Sequence, residues 1–169
     1  EILSKMRRNY NAEQYENVVR RAAERIAPLG LGADVIVGFP GESEENFERT
    51  RKLIDELPFT YLHVFSYSPR SGTEAFDCRN DVKNSLKKER NGILNDLAKE
   101  KADRFRKSFI GKKVTVLIED RKYAEGIFKG HSEHYVPVRV PTEDSLQNQL
   151  APVLIKEVNE DEVIGYPKP

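Results

Sequence analysis

The chain has 169 residues, with 28 lysines and arginines against 28 aspartates and glutamates and 38% apolar residues; that is enough for one good core or two small ones, and too apolar for a disordered tail. No apolar stretch approaches the roughly 20 residues of a transmembrane helix, and the opening Glu1-Ile2-Leu3-Ser4-Lys5-Met6-Arg7-Arg8 lacks the order of a signal peptide, so a cytoplasmic protein with no membrane partner is expected. Zero net charge gives no global footprint for nucleic acid, and the single cysteine, Cys78, excludes an intramolecular disulfide and a cysteine-built metal cluster.

The spacing of Ile2, Leu3, Met6 and Tyr10 opens the chain inside a helical pattern, and without an initiating methionine it reads as a piece of a longer protein. Asn11 followed by Gln14 is a capping-box start, after which Tyr15, Val18, Val19, Ala22, Ala23 and Ile26 keep the helical period until Pro28-Leu29-Gly30. A β-branched run from Ala33 to Phe39 predicts a buried parallel strand. Ser43 caps the next predicted helix, with Glu44 and Glu45 in its first turn and Phe47, Thr50, Ile54 and Leu57 on its apolar face up to Pro58. The strand predicted from Tyr61 to Ser66 completes a β-α-β unit.

After a loop from Pro69 to Asn80, a long helix is expected from about Val82 to Phe109. Leu86, Ile93, Leu94, Leu97, Ala98, Phe105 and Phe109 form its apolar stripe, and its lysine- and arginine-rich face reads as solvated rather than as a phosphate track. At Gly111 the period switches to alternation. Strands are predicted at 114–118, 124–129, 135–140, 153–158 and 163–166, which suggests a small antiparallel barrel, OB-like in size. The fold class is therefore α/β plus all-β, with units at 1–109 and 110–169.

Two strand exits lie one after the other in this pattern, and loops at the carboxyl ends of parallel strands are where such folds bind ligands. The first is Asp34-Val35-Ile36-Val37-Gly38-Phe39-Pro40-Gly41-Glu42, whose glycines permit close backbone approach to a ligand. Glu42 reads as an acceptor for loop backbone or as a helix-entry carboxylate. The second is Tyr67-Ser68-Pro69-Arg70-Ser71-Gly72-Thr73. Phe65 and Tyr67 near its mouth are able to pack on a purine face, although a phenylalanine in a strand reads first as a core residue, and Arg70 offers a bidentate fork. His63 reads as an imidazole satisfied inside the fold, and His131 with His134 around Glu133 is too weak a pattern for a metal site. In the barrel, Lys112, Lys113, Arg121, Lys122, Lys129 and Arg139 form a possible phosphate track with Tyr135 and Phe128 for stacking, opposed by the excess of acids over bases from Gly111 onward.

Met6-Arg7-Arg8-Asn9-Tyr10, the strand and loop from Asp34 to Glu42, and the loop from Tyr67 to Thr73, in that order and followed by a barrel, resemble the latter half of the radical S-adenosylmethionine methylthiotransferases. The tail from Gly111 resembles the TRAM domain that ends them. The resemblance implies the carboxyl-terminal portion of a partial β/α barrel and an antiparallel OB-like barrel. It also implies an activity, the attachment of a methylthio group to a hypermodified adenosine beside a tRNA anticodon, or in one branch to an aspartate of a ribosomal protein. His63-Val64-Phe65 is most similar to the branch acting on threonylcarbamoyladenosine rather than isopentenyladenosine.

The family uses S-adenosylmethionine and two 4Fe-4S clusters held by cysteines that this chain does not contain, so by itself it is expected to be inactive, with no catalytic residue and no metal site. By resemblance, Ile36, Gly38, Pro40, Gly41, Phe65 and Tyr67 are cofactor-binding candidates. Arg8, Arg70, Lys113, Lys129, Tyr135 and Arg139 are candidates for the tRNA substrate. Arg70 has three open roles, on the methionyl carboxylate, on the nucleoside, or in tying down its own loop; Arg8 has a competing one as a helix-terminal charge. The rivals are an RNA-binding module with no catalytic parent and a radical enzyme with another substrate. An uncovered edge beside the strand at Ala33 further predicts self-association.

Overall fold

The computed structural model describes residues 1–78, 82–143, 145–159 and 162–167, with 120–123 by backbone alone. The chain divides into two compact units, Glu1–Lys101 and Ala102–Pro169. The division falls inside a helix.

In the first unit a short helix α1 (Ile2–Lys5) precedes α2 (Ala12–Arg25), β1 (Gly32–Val37), α3 (Glu44–Glu56), β2 (Tyr61–Ser66), a 3-10 turn (Glu74–Phe76) and the start of α4 (Asn84–Lys107). The capping box is present: Gln14 N–H donates to Asn11 Oδ1 at 2.8 Å and Asn11 N–H donates to Gln14 Oε1 at 2.9 Å. The Ser43 hydroxyl accepts from Asn46 N–H at 3.2 Å and starts α3 beside Glu44 and Glu45. Strands β1 and β2 pair in parallel from Gly32↔Tyr61 to Val37↔Ser66.

Because side chains alternate across a strand, this register sorts the two faces. Ala33, Val35 and Val37 with Leu62 and Val64 turn toward the core of Val19, Phe47, Ile54, Leu57, Phe59, Leu94 and Ala98. The opposite face carries Ile36, Tyr61 and Phe65, which stay exposed at 38%, 39% and 52%. His63 lies on that open face with its ring edge-on to Tyr61 at 5.7 Å, not satisfied inside the fold as its strand position suggested.

The lysine- and arginine-rich side of α4 is not simply solvated. Lys87, Arg90 and Lys101 are 3%, 2% and 7% exposed, whereas Ile93, expected on the buried stripe, is 39% exposed. Positions 87, 90, 94, 98 and 101 share one helical face, so these cations stand in line with Leu94 and Ala98. Their long stems fill apolar space while their heads reach polar partners, as Lys101 Nζ does in donating to the Asp55 carbonyl at 2.7 Å.

In the second unit β3 (Lys113–Ala124), β4 (Ile127–Ser132), β5 (Pro137–Pro141), β6 (Leu150–Asn159) and β7 (Glu162–Pro167) close into a barrel in the order β3-β4-β5-β7-β6. Val114, Val116, Ile118, Phe128, Val138, Val140, Val153, Ile155 and Val163 form its core together with Phe109. The expectation of an antiparallel barrel is corrected here, because β5 and β7 run parallel. The reason is arithmetical. Antiparallel neighbours alternate in direction, and an odd number of strands closed into a ring cannot alternate all the way round.

Two predicted strands also shift. The run 124–129 is broken by a turn at Glu125-Gly126, with Gly126 at φ +68°, and Tyr135 at φ +63° lies before β5 rather than in it.

Candidate ligand loops and barrel face

The loop after β1 is built around Glu42. Gly38 has φ +72°, ends the strand two residues earlier than expected, and donates its N–H to Glu42 Oε2 at 2.7 Å. A Cβ at Gly38 would collide with Lys87 Cγ and lie 2.9 Å from Lys87 Cδ, so the close approach this glycine permits is to Lys87. Arg90 Nη1 donates to Glu42 Oε2 at 2.6 Å and to the Glu42 carbonyl at 3.2 Å, while Nη2 donates to Glu44 Oε2 at 2.8 Å. The guanidinium lies over the Phe47 ring, 5.1 Å from its centroid. Burial lowers the pKa of Arg90, but hydrogen bonds to Glu44 and Glu42 and the charges of both outweigh it, and the net shift is upward. Of the two readings open for Glu42, the backbone acceptor is the one seen.

The loop after β2 is tied to the first. Tyr67 N–H donates to the Val37 carbonyl at 2.8 Å, its ring meets Phe39 edge-on at 5.2 Å, and its hydroxyl donates to the Ala75 carbonyl at 2.8 Å. Lys87 Nζ donates to the Tyr67 carbonyl at 3.3 Å and sits 5.2 Å from the Tyr67 ring centroid. Among the cofactor candidates, Ile36 and Phe65 are register partners on the open face, Gly41 is exposed with φ +81°, and Gly38 and Pro40 are buried. Arg70 is exposed, and its carbonyl accepts from Thr73 N–H at 3.3 Å and Thr73 Oγ1 at 2.8 Å, so its own backbone closes the loop. Arg8 is exposed just past α1. Its neighbour Arg7 pairs with Glu74, and the Arg7 hydrogen bond and charge hold the Glu74 carboxyl below its usual range.

On the barrel, Lys113 is exposed at the start of β3, and Lys129 faces Arg139 across β4 and β5. Arg139 pairs with Glu162 at 2.5 Å, and Tyr135 is 76% exposed with its ring 6.1 Å from His131. The sequence reading missed an outward row running straight across four strands, Leu150↔Leu117↔His131↔Pro137, in which Leu150 and Leu117 are 69% and 52% exposed. It was legible as alternation, since Leu117 falls on the outward parity of β3. Lys87 and Arg90 carried only their phase with Leu94, which does not by itself bury a cation.

The open face suits S-adenosylmethionine in chemical type: two large apolar side chains side by side against which an adenine can pack, next to a loop with an exposed positive-φ glycine. Iron-sulfur clusters do not fit this chain. Cys78 is its one cysteine, and the described residues contain no group of three or more histidine, cysteine, aspartate or glutamate side chains able to hold a metal. Among the described residues no helix is long and apolar enough to cross a membrane.

No family model matches the chain. It does match tRNA methylthiotransferases named for two different nucleosides. It is 40% identical over 134 residues to the tRNA-2-methylthio-N(6)-dimethylallyladenosine synthase of Oceanobacillus iheyensis, a match covering 79% of this chain and 26% of that enzyme. It is 37% identical over 136 residues to the threonylcarbamoyladenosine tRNA methylthiotransferase of Thermotoga maritima, 80% of this chain and 31% of the relative. With the tRNA-2-methylthio-N(6)-dimethylallyladenosine synthase of Thermus thermophilus it shares 35% identity over 172 residues, 99% of this chain and 37% of the relative. The chain is similar to tRNA methylthiotransferases over most or nearly all of its length, and these matches fit the carboxyl-terminal portion of such an enzyme. It spans between 26% and 37% of the length of these three relatives.

Proposed function

We propose that the chain is the carboxyl-terminal part of an enzyme that methylthiolates a hypermodified adenosine next to the anticodon of tRNA. In this reading, residues 1–109 are the last β/α units of a radical S-adenosylmethionine partial barrel, and 110–169 form a TRAM barrel that grips the tRNA. The observation that carries it is the homology over nearly the whole chain. The open face of the β1–β2 sheet supports it, since parallel sheets are normally covered on both sides and an uncovered one suits the inner wall of a barrel.

Ile36 and Phe65 present apolar surface to the adenine. The Gly38–Gly41 backbone and Tyr67 shape the rim, and Arg8 and Arg70 offer charge to anionic groups of the cofactor or the tRNA. On the barrel Lys113, Lys129 and Arg139 contact phosphates, and Tyr135 stacks on an unpaired base. S-adenosylmethionine, when bound, supplies the methyl group and the radical precursor, with the clusters held by cysteines outside these residues. The chain alone is therefore proposed to be inactive and to act by positioning.

The branch read from His63-Val64-Phe65 is the one acting on threonylcarbamoyladenosine. A second reading, action on isopentenyladenosine, is favoured by the names of most of the matched relatives. Mass spectrometry of tRNA nucleosides from cells lacking the gene separates them. Loss of 2-methylthio-threonylcarbamoyladenosine alone is the expected result, and loss of the 2-methylthio-isopentenyl nucleoside instead would establish the second reading. An unchanged profile would refute a tRNA role and point to a ribosomal-protein substrate. The edges of the two-stranded sheet also support self-association of the isolated chain; a mass by light scattering that stays monomeric across concentrations would contradict it.

A further inference from the structure

The two loops are not held by the sheet alone. Lys87 and Arg90, one turn apart on α4, reach into both of them from the buried side. Arg90 uses three hydrogen bonds on Glu42 and Glu44, and Glu42 spends its Oε2 oxygen on both Arg90 and the Gly38 amide. Arg90 Nε has no hydrogen-bond partner, so the hydrogen bonds of this buried cation are made through its two terminal nitrogens. A buried ion pair of this kind contributes little net stability compared with apolar side chains of the same volume. What it does supply is geometry: one carboxylate oxygen, fixed by a guanidinium, sets the direction of the amide at the point where β1 turns into the loop.

We propose that Glu42, clamped by Arg90, is a positioning residue for the ligand held at residues 36–41, acting through the Gly38 amide, and that Lys87 extends the same control to Tyr67. The proposal rests on the reading of this site as a place for S-adenosylmethionine. Its content is that ligand affinity follows the loop's conformation rather than the stability of the unit. Removing the whole ion pair separates the two, because apolar replacement of both partners leaves no buried charge behind.

The test uses the protein at its natural length with two double variants, Glu42→Leu with Arg90→Met and Glu42→Gln with Arg90→Met. Both remove the charges, but the glutamine keeps an oxygen able to accept from Gly38. Thermal unfolding, hydrogen exchange of the Gly38 amide and calorimetric titration with S-adenosylmethionine are read together. In the leucine variant the expected outcome is faster Gly38 exchange and an affinity lower by about tenfold, the size of one charge-assisted hydrogen bond. The glutamine variant should keep most of the protection and most of the affinity at a similar melting temperature. The proposal is overturned if the leucine variant binds as wild type does, or if both variants lose affinity equally and in step with melting temperature. If the wild-type protein itself does not bind S-adenosylmethionine, the proposed cofactor reading fails, and this inference with it; binding by wild type and by the leucine variant alike sinks this inference alone.

Discussion

Glu42→Ala is expected to destabilise the first unit by about 3–5 kcal/mol, the cost of stranding one member of a buried ion pair. Arg90 is 2% exposed and would keep only Glu44, whose side chain is 69% exposed, as its acidic partner. The Gly38 amide would lose its acceptor at the same time. Glu44→Ala removes the other carboxylate from the same guanidinium, but from the solvent side, and should cost no more than about 1 kcal/mol. Urea unfolding followed by circular dichroism measures both. Equal shifts for the two variants would mean that water reaches the guanidinium and that the Glu42–Arg90 pair is not buried.

The second large effect is expected at Gly130→Val in the barrel. Gly130 points inward from β4, and a Cβ there would run into the Leu117 carbonyl oxygen and come within 2.7 Å of Val116 Cγ1. The obstacle is a backbone atom of the neighbouring strand, which no rotamer change can move, so β3 and β4 must separate or the barrel must expand. Overpacking of this sort costs about 1–3 kcal/mol or more, and at the upper end lowers the melting temperature of so small a unit by roughly 10–20 °C. Gly92→Ala is the opposite case. It sits on α4 with nothing within 4 Å of its would-be Cβ, and should gain about 0.5–1 kcal/mol from helix propensity. Differential scanning calorimetry of the two variants checks the contrast, and an unchanged profile for Gly130→Val would rule out the tight barrel interior.

Short-range signals carried much of this fold. Asn11 with Gln14 and Ser43 before Glu44 start the helices they were expected to start, because a cap depends on residues three apart. The alternation after Gly111 marked five strands, and period two needs only the strand itself. Strand ends were less legible. Ala124 and Ile127 are both β-branched or small enough to sit in one run, and only the positive φ of Gly126 shows that a turn divides them.

At the candidate site, the glycines of the first loop were visible in the sequence, but the atoms they admit were not. Gly38 makes room for Lys87, which is 49 positions away in the chain, and Glu42 is committed to Arg90, 48 positions away. Composition placed those cations in solvent because lysine and arginine are rarely buried. Packing of α4 against the loops reversed this by supplying carboxylate and carbonyl partners that no local window contains.

The sequence by itself determined the order of helices and strands, the switch from helical to alternating period at Gly111, the two glycine-bearing strand exits and the absence of a cysteine ligand set. These follow from neighbour spacing and residue count. Only the tertiary structure decided which face of the β1–β2 sheet stays open, which cations of α4 are buried, and that β5 meets β7 in parallel. Each of these depends on pairing between residues far apart in the chain, where a hydrogen bond or an ion pair is made or lost by position in space.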